Sequence, residues 1–444
     1  MKAVFLCGGI GKRMFPVTED KILLDFLGQT LLERQIEMAK EAGLSEFVIV
    51  GNPQNIGSIE KIMAGISDIA AEFVVQEEPL GIANALEKAS QFVDDEIMVV
   101  NPNDVFDISV YTMLLKAEHN NSAVSYLTGY QVADYFPGGY LVVDEGNKLT
   151  HITEKPERGN EPSNLVNIMV HLHKDPEKLL RYAMSVQTDR DDVYERAIDC
   201  MAKETNGVAV VPYAGFWNAI KYPWHIFAVV RRFLDRSQRY ISPSAAISDK
   251  ATIDGKVIIS EGVRVFENAV IRGPVYIGPN SVIENNSLVR EYSHIGACCT
   301  VGYSTEIKGS YVGDGCWFHM SYAGDSIIGH ECSFGAGTVL SNFRFDEKNI
   351  LMKVDGKPVD TELDKFGAVI GNRCKTGVNA NVMPGVRIGS NSIVGSHVCL
   401  TEDLEPDRII LPESVYKTTR NKIQVNKEKG RVASERMRRL TCAE

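Results

Sequence analysis

The chain has 444 residues, 44% of them hydrophobic and 24% charged, and carries a net charge of −11. That length predicts two or three domains with sizeable cores, the composition is that of an ordinary soluble protein, and the acidic balance argues against a nucleic-acid surface. No stretch is long and apolar enough to cross a membrane. The nine cysteines show no metal-ligand spacing. In a chain that opens straight into a strand, they read as reduced thiols in a cytoplasmic setting.

Residues 2–6 read as a short apolar strand, followed by a glycine-rich turn, Cys7-Gly8-Gly9-Ile10-Gly11-Lys12-Arg13. Thr30-x-x-Glu33 is a capping box that opens an amphipathic helix ending near Gly43. Further strands are expected at 47–50, 72–75 and 97–100. Strand and helix alternate, which predicts a Rossmann-like α/β domain with a mainly parallel sheet over residues 1–236. In such sheets ligands bind at the carboxyl ends of strands, where the glycine turn and residues 101–107 both fall. Gly8, Gly9 and Gly11 let the backbone approach a phosphate chain closely. Arg13 offers a bidentate guanidinium and Lys21 a point charge.

Residues 76–85 read Q-E-E-P-L-G-I-A-N-A, Asp104 ends a strand, Glu154-Lys155-Pro156 and Asn167 follow, and residues 217–223 close the domain. In that order these segments resemble the sugar-1-phosphate nucleotidylyltransferases, whose loop runs G-G-x-G-x-R, then a proline-threonine pair and a lysine. The resemblance covers nearly all of residues 1–236. It implies that Gly8, Gly9, Gly11 and Arg13 hold a triphosphate, and that Lys21 neutralises the phosphate under attack. It implies that Gln76 and Gly81 read the edge of a pyrimidine, so that UTP or dTTP is the nucleotide. Asp104 would bind Mg²⁺, Glu154 sugar hydroxyls, Lys155 the sugar phosphate, and Asn167 a further part of the sugar. The sequence departs from the family's pattern at three points. The step from Thr18 to Lys21 is two residues shorter than the family's. Asn103 stands where a glycine precedes the metal aspartate. The family's second metal aspartate lies in W-x-D-I-G, and here the segment is Trp217-Asn218-Ala219-Ile220-Lys221. Asn218 and Asp107 are candidates to compensate for Ala219. His171 and His173 fit no motif and read as packing or surface residues.

The pattern then changes. Every sixth residue from Ile241 to Ile307 is isoleucine or valine. The period returns at Ile328, Phe334 and Leu340, and runs again from Ile370 to Leu400. Neither a helix nor an ordinary strand repeats in sixes. This is the mark of a parallel β-helix of hexapeptide repeats, expected over residues 237–412. The phase slips between Ile307 and Ile328 and breaks between Asn342 and Phe366. Polar residues that a plain scaffold does not need gather there: Arg290, Lys308, His319, Tyr322 and Asn342.

These positions resemble the acetyltransferase half of the bifunctional enzymes that make UDP-N-acetylglucosamine, and the archaeal relatives of those enzymes. The segments that match are His319-Met320-Ser321-Tyr322-Ala323-Gly324-Asp325, then F-G-A-G-T at 334–338 and S-N-F-R-F-D-E-K at 341–348. The resemblance implies a left-handed coil. It makes His319 the general base that frees a hexosamine amine to attack acetyl-CoA. Arg290 and Lys308 would clamp the sugar phosphate, and Tyr322 and Asn342 would orient the sugar. A homotrimer, or a multiple of it, with active sites between subunits is implied as well. The chain thus reads as a bifunctional enzyme acting on a nucleoside triphosphate and a sugar 1-phosphate, with no nucleic-acid or membrane partner. Two other readings stay open: an N-terminal domain impaired at Ala219 and serving as a sugar-nucleotide sensor, or a β-helix that is only a trimerising scaffold. Residues 413–444 hold nine Lys or Arg against four Glu. This basic tail reads as a solvated end or as an arm that docks on a neighbouring subunit.

Overall fold

Short buried strands and capped helices alternate through the first half. In the computed structural model, strand Lys2–Leu6 pairs in parallel with Glu46–Gly51 on one side and Ile97–Val100 on the other, and Ala70–Val75 extends the set. Thr30 and Glu33 form the capping box that starts helix Leu31–Glu41. The described residues are 1–413 except 94, 121 and 205–206, together with 419–420. The tail at 413–444 therefore lies outside them, apart from Glu413, Thr419 and Arg420.

The later strands of the domain change direction. Leu165–His173 runs antiparallel to Ile97–Val100 and carries Ser125–Gln131 and the hairpin Gly139–Val143 with Leu149–Glu154. Val208–Tyr213 returns parallel to Ser125–Gln131. The nine-stranded sheet is therefore mixed, with four of its parallel strands drawn from the first hundred residues. A separate short ladder pairs Trp217–Ala219 with Asp104–Phe106 and sets Ala219 directly opposite Asp104.

From Tyr240 the chain coils. Ile241 pairs with Ile259, Ile247 with Val265 and Ile253 with Ile271, so one turn takes eighteen residues in three faces of six. Three sheets of eight, nine and eight strands result, and every ladder is parallel. This is a left-handed β-helix. Its core holds the sixth-residue column, in which Ile271, Ile283 and Ile295 are fully buried, and beside it smaller buried residues two positions earlier, such as Ala269, Ser281 and Ser293. Corners take left-handed backbone, with Asn280 at φ 57° and Asn286 at φ 58°; asparagine tolerates that region better than most side chains.

The slips in phase are coils of different length. Ile295 pairs with Val312, seventeen residues on, and Ile307 with Ala323, sixteen on. Corners lose residues while the inward column is kept. The break is an insertion: Ile328 pairs with Ile370, and the intervening chain carries a hairpin, Leu351–Val354 with Lys357–Asp360.

Residues Met1–Ile410 form one compact unit because the two halves share a core. Helix His225–Arg236 buries Ile226, Val229, Val230 and Leu234 with Tyr276, Tyr311 and Ile327 of the coil, and with Ile350, Met352 and Phe366 of the insertion. The hairpin around Leu27 docks beside it. Tyr311 OH donates to Asp25 O at 3.0 Å and Leu27 N–H to His294 Nε2 at 3.2 Å. His294 is stacked between Tyr276 and Tyr311, with ring centroids 4.8 and 4.7 Å away.

The inward column gives a direct stability test. Ile295→Ala opens a void that neighbouring coils cannot close, and it is expected to cost about 2–5 kcal/mol. Denaturant or thermal unfolding reads this, and an unchanged midpoint would contradict a tightly packed column.

Candidate functional site

Strands Lys2–Leu6 and Ile97–Val100 end at one cleft. A Cβ at Gly8 would lie 2.5 Å from Gln76 Oε1, so a larger residue there would displace the Gln76 amide. Gly11, at φ 62°, precedes the short turn Lys12–Met14 that carries Arg13. Arg13 is exposed, with its guanidinium 5.8 Å from the Tyr222 ring centroid. Lys21 lies on the turn Lys21–Leu23, opened by Asp20. Its chain runs 3.5 Å from where a Gly11 Cβ would stand. The shortened spacing therefore still delivers Lys21 to the cleft. Burial lowers its pKa and Arg13 lowers it further, while Asp104 and Asp20 oppose both.

Asp104 is buried. Burial raises its pKa, opposed first by Lys221, then by a hydrogen bond from Trp217 Nε1 at 3.2 Å and by Lys21. Across the ladder Ala219 offers only a methyl. Neither candidate substitute fills the gap. Asp107 is paired with Arg232 at 2.7 Å and Arg236 at 3.3 Å. Asn218 lies on the strand face opposite to Ala219 and donates to His225 O at 3.1 Å. Among the described residues no group of three or more His, Cys, Asp or Glu could hold a metal ion. One hard carboxylate suits an Mg²⁺ that arrives on a triphosphate and keeps most of its ligands from phosphate and water.

The opposite wall holds Glu154 and Lys155, an ion pair at 2.6 Å. Lys155 is in the left-handed region at φ 45°, held by its N–H on Gly138 O at 3.0 Å. Such backbone strain gathers at functional sites. A Cβ at Gly139 would lie 3.1 Å from Glu154 Oε2 and 3.5 Å from Asn167 Cβ, so these two side chains flank the glycine. Gly81, Glu154, Lys155, Asp191 and Glu195 line a cavity of about 90 Å³. Arg13, Lys21, Gln76, Asp104, Glu154, Lys155 and Asn167 are thus brought to one cleft.

Sequence reasoning missed three features of it. His171 and His173 are fully buried, and they form a wire. Ser125 Oγ meets His173 Nδ1 at 2.8 Å, His173 Nε2 meets Tyr194 OH at 2.8 Å, Tyr194 OH meets His171 Nδ1 at 2.7 Å, and His171 Nε2 meets Asn167 Oδ1 at 2.7 Å. One proton order satisfies all four: each hydroxyl donates to an Nδ1, each Nε2–H donates onward, and Asn167 Oδ1 accepts at the end. Both rings are then neutral. Burial pushes the His173 pKa down to about 3 and lowers that of His171. The second is Glu195, whose pKa burial and then Glu154 raise to about 8. An acid in the first turn of a helix is commonplace, so its sequence carried no signal. The third is Lys221. Its Nζ donates to Pro137 O at 2.5 Å and lies 3.5 Å from the Phe136 ring centroid. Burial pushes its pKa down to about 7, opposed by Asp104. The signal was a lysine two residues past Ala219, where the family's motif has a glycine.

On the coil, four of the five expected residues meet on one face. Glu306 stacks on Tyr322 and Lys308 on Gly324. Lys308 Nζ and Asn342 Nδ2 both bind Asp325 Oδ2, each at 2.5 Å. Arg290 Nη1 donates to Glu306 Oε1 at 3.1 Å. A Cβ at Gly324 would lie 2.5 Å from Tyr322 OH and 2.7 Å from Asn342 Nδ2, so glycine keeps this face open. His319 sits on the adjoining corner. It is exposed, and its ring stacks on Trp317 at 5.2 Å.

The nucleotidyl transferase family matches residues 2–218, and a bacterial transferase hexapeptide family of six repeats matches residues 367–402. The chain is 32% identical to the bifunctional protein GlmU of Methanococcus maripaludis strain C7, over 92% of this chain and 97% of that protein. It belongs to the GlmU family of bifunctional transferases. A bifunctional sugar-1-phosphate nucleotidylyltransferase/acetyltransferase of Sulfurisphaera tokodaii is also 32% identical, over 88% of this chain and 94% of its own length. The GlmU of Carboxydothermus hydrogenoformans is 24% identical over 96% of this chain. The protein is thus an enzyme with a nucleotidyl-transferase half and an acyltransferase-type coil. No helix among the described residues is long and apolar enough to cross a membrane.

Glu195 makes the wall that holds Glu154 and Lys155 sensitive to pH. The unfolded carboxyl loses its proton near 4.5, and the folded one keeps it to about 8. Between those values the folded state binds more protons, so stability falls as pH rises. Melting temperatures across that window should decline less for Glu195→Gln than for the wild type. Equal declines would show that Glu195 does not titrate late.

Proposed function

We propose that the chain transfers a nucleotidyl group from UTP or dTTP to a hexosamine 1-phosphate at the N-terminal cleft, and an acetyl group from acetyl-CoA to the amine of a hexosamine 1-phosphate on the coil. The observation that carries this is the pairing, in one chain of the GlmU family, of a cleft holding Arg13, Lys21 and Asp104 with a coil face holding Lys308, Tyr322 and Asn342. The proposed division is 1–236 for nucleotidyl transfer, 237–412 for acyl transfer and 413–444 for the tail.

In the cleft, the amides of Gly8, Gly9 and Gly11 and the guanidinium of Arg13 bind the triphosphate. Both amide hydrogens of Gln76 are taken, by Gly81 O and Asn84 Oδ1 at 3.0 Å each. Its Oε1 is left to accept from the imide N–H of uracil or thymine. Glu154 and Asn167 hold the sugar and Lys155 its phosphate. A sugar-phosphate oxygen attacks the α-phosphorus, the bond to the bridging oxygen breaks, and pyrophosphate leaves with the electron pair. Lys21 neutralises charge on the phosphate under attack. Positioning and charge neutralisation supply the rate. When bound, Mg²⁺ adds positive charge at the phosphates, with Asp104 as its protein ligand.

On the coil, His319 takes a proton from the substrate amine as the nitrogen attacks the thioester carbonyl, the C–S bond breaks, and that proton passes to the departing CoA thiolate. A neutral imidazole suits this role near neutral pH. Arg290 and Lys308 bind the sugar phosphate, and Tyr322 and Asn342 orient the ring. The assembly is a cytoplasmic homotrimer, or a multiple of it, with His319 at a subunit boundary. Exposed Tyr303, Trp317 and Met320 beside His319 support this; they are 55%, 51% and 52% exposed, more apolar surface than a lone coil needs.

Turnover of the purified protein on a panel of sugar 1-phosphates, scored separately for pyrophosphate and free CoA, tests both halves. No pyrophosphate with any pair would end the nucleotidyl reading, and no CoA release with any hexosamine 1-phosphate would end the acetyl one. His319→Ala should cut acetylation by about 100- to 10,000-fold. Its pyrophosphate release and melting temperature should stay near wild type. Full acetylation by the folded variant would remove His319 from this role.

A further inference from the structure

We propose that the Lys221 ammonium is a built-in cation of the nucleotide cleft, taking up phosphate charge that a metal bridged by a second carboxylate would otherwise carry. This rests on reading the cleft as a nucleotidyl-transfer site.

The first support is register. Ala219 lies opposite Asp104, and Ile220 N–H continues the contact by donating to Asn103 O at 3.1 Å. Lys221 follows just past the end of the strand Trp217–Ala219, and its charge acts first on Asp104. His225 fixes this turn, its Nδ1 lying 2.7 Å from Ala219 O and 3.2 Å from Lys221 N.

The second support is a cage. The Phe136 ring lies 3.5 Å from Nζ, and Phe136 in turn packs on Trp217 with ring centroids 4.7 Å apart. Trp217 Nε1 holds Asp104 Oδ2. The ammonium and the lone carboxylate are therefore positioned by the same aromatic pair. Such a group needs little reorganisation when charge arrives.

The third support is what the ammonium lacks. One of its protons goes to Pro137 O. Among the described residues it makes no ion pair. Its charge acts on Asp104 and Glu154 and repels Arg13 and Lys155, so it faces both the triphosphate wall and the sugar wall. With one side of the ammonium against the Phe136 ring, at least one proton remains for a non-bridging phosphate oxygen. Lys221 makes no covalent bond, and the negative charge of an arriving phosphate favours its ammonium form against the burial that lowers its pKa.

The test is calorimetric titration of UTP into the full chain, in EDTA and in Mg²⁺. Wild type should bind UTP in EDTA within about tenfold of its affinity in Mg²⁺. Lys221→Met, which keeps the apolar stem, should lose about ten- to a hundredfold in EDTA, the usual worth of a hydrogen bond to a charged group. Ala219→Asp combined with Lys221→Gly should bind UTP well only in Mg²⁺. Melting temperatures establish that each variant is folded. A wild type whose binding vanishes in EDTA overturns the proposal, whether or not Lys221→Met folds. A folded Lys221→Met that binds in EDTA as tightly as wild type also overturns it. A wild type that binds neither UTP nor dTTP in either buffer is a different failure, because it removes the nucleotidyl reading itself.

Discussion

A large apolar side chain turned inward every six residues, with a smaller buried one two residues before it, is the constraint on which the C-terminal half depends. Parallel coils stack only if that column is continuous. All variation is therefore pushed to corners and outward positions. Coils of sixteen and seventeen residues shorten their corners and keep Val312, Phe318 and Ala323 in line. The insertion after Asn342 leaves at a corner and returns so that Ile328 meets Ile370 and Phe334 meets Thr376. The polar face of Lys308, Tyr322, Asp325 and Asn342 stands where these irregularities gather. Its residues are outward neighbours of a buried column, which fixes their spacing without spending any of them on the core.

The same rigid flank supports the other half. Phe15 lies under the Arg387 guanidinium, 5.1 Å from ring centroid to Cζ. Asn372 Nδ2 donates to Glu19 Oε1 at 2.5 Å. Phe15 and Glu19 belong to the loop that carries Arg13 at one end and Lys21 at the other. A glycine-rich loop is a flexible element by composition, and here its middle rests on stacked coils. The coil is thus structural support for the nucleotide cleft as well as the bearer of its own polar face. The shared core around helix His225–Arg236 and Phe366 makes that support part of the fold.

Much of this was legible in the sequence, for physical reasons. A six-residue period survives because each repeat meets the same steric demand, so Ile241 through Ile307 announced the coil and its slips. The first strands and the Thr30 capping box were legible because local rules decide them. The antiparallel strands Leu165–His173 and Ser125–Gln131 were not, because strand direction follows tertiary pairing and leaves no mark on a short apolar run. The hairpin Leu351–Val354 with Lys357–Asp360 was hidden for a similar reason: it was visible only as a loss of period. In the cleft, residues with a motif to carry them were found, and residues that matter through burial were not. His171 and His173 looked like filler because a histidine's role is set by what surrounds its two nitrogens. The loss at Ala219 was plain, while the place of Lys221 was hidden because contacts distant in sequence, Pro137 O and the Phe136 ring, hold it.

Burial also sorts the charges of the cleft. On one side, Lys21 and Lys221 act on Asp104, and Arg13 acts on both lysines; cations there suit ligands of opposite charge. On the other side, the buried rings of His171 and His173 are neutral, with His173 down to about 3, and Glu195 keeps its proton to about 8. Sugar hydroxyls need donors and acceptors of fixed direction more than charge, and neutral groups in a wire supply direction at low electrostatic cost. Tyr194 joins the two features: its hydroxyl links both histidines, and the next residue in the chain is Glu195. The helix Val193–Ala202 that presents them packs on strand Leu149–Glu154, through Ile198 and Ile152 among others. One helix therefore sets the polarity of the sugar wall, as one short ladder sets that of the phosphate wall. The line where the two meet, between Asp104 and Glu154, is where a sugar phosphate and a nucleotide α-phosphate would be held against each other.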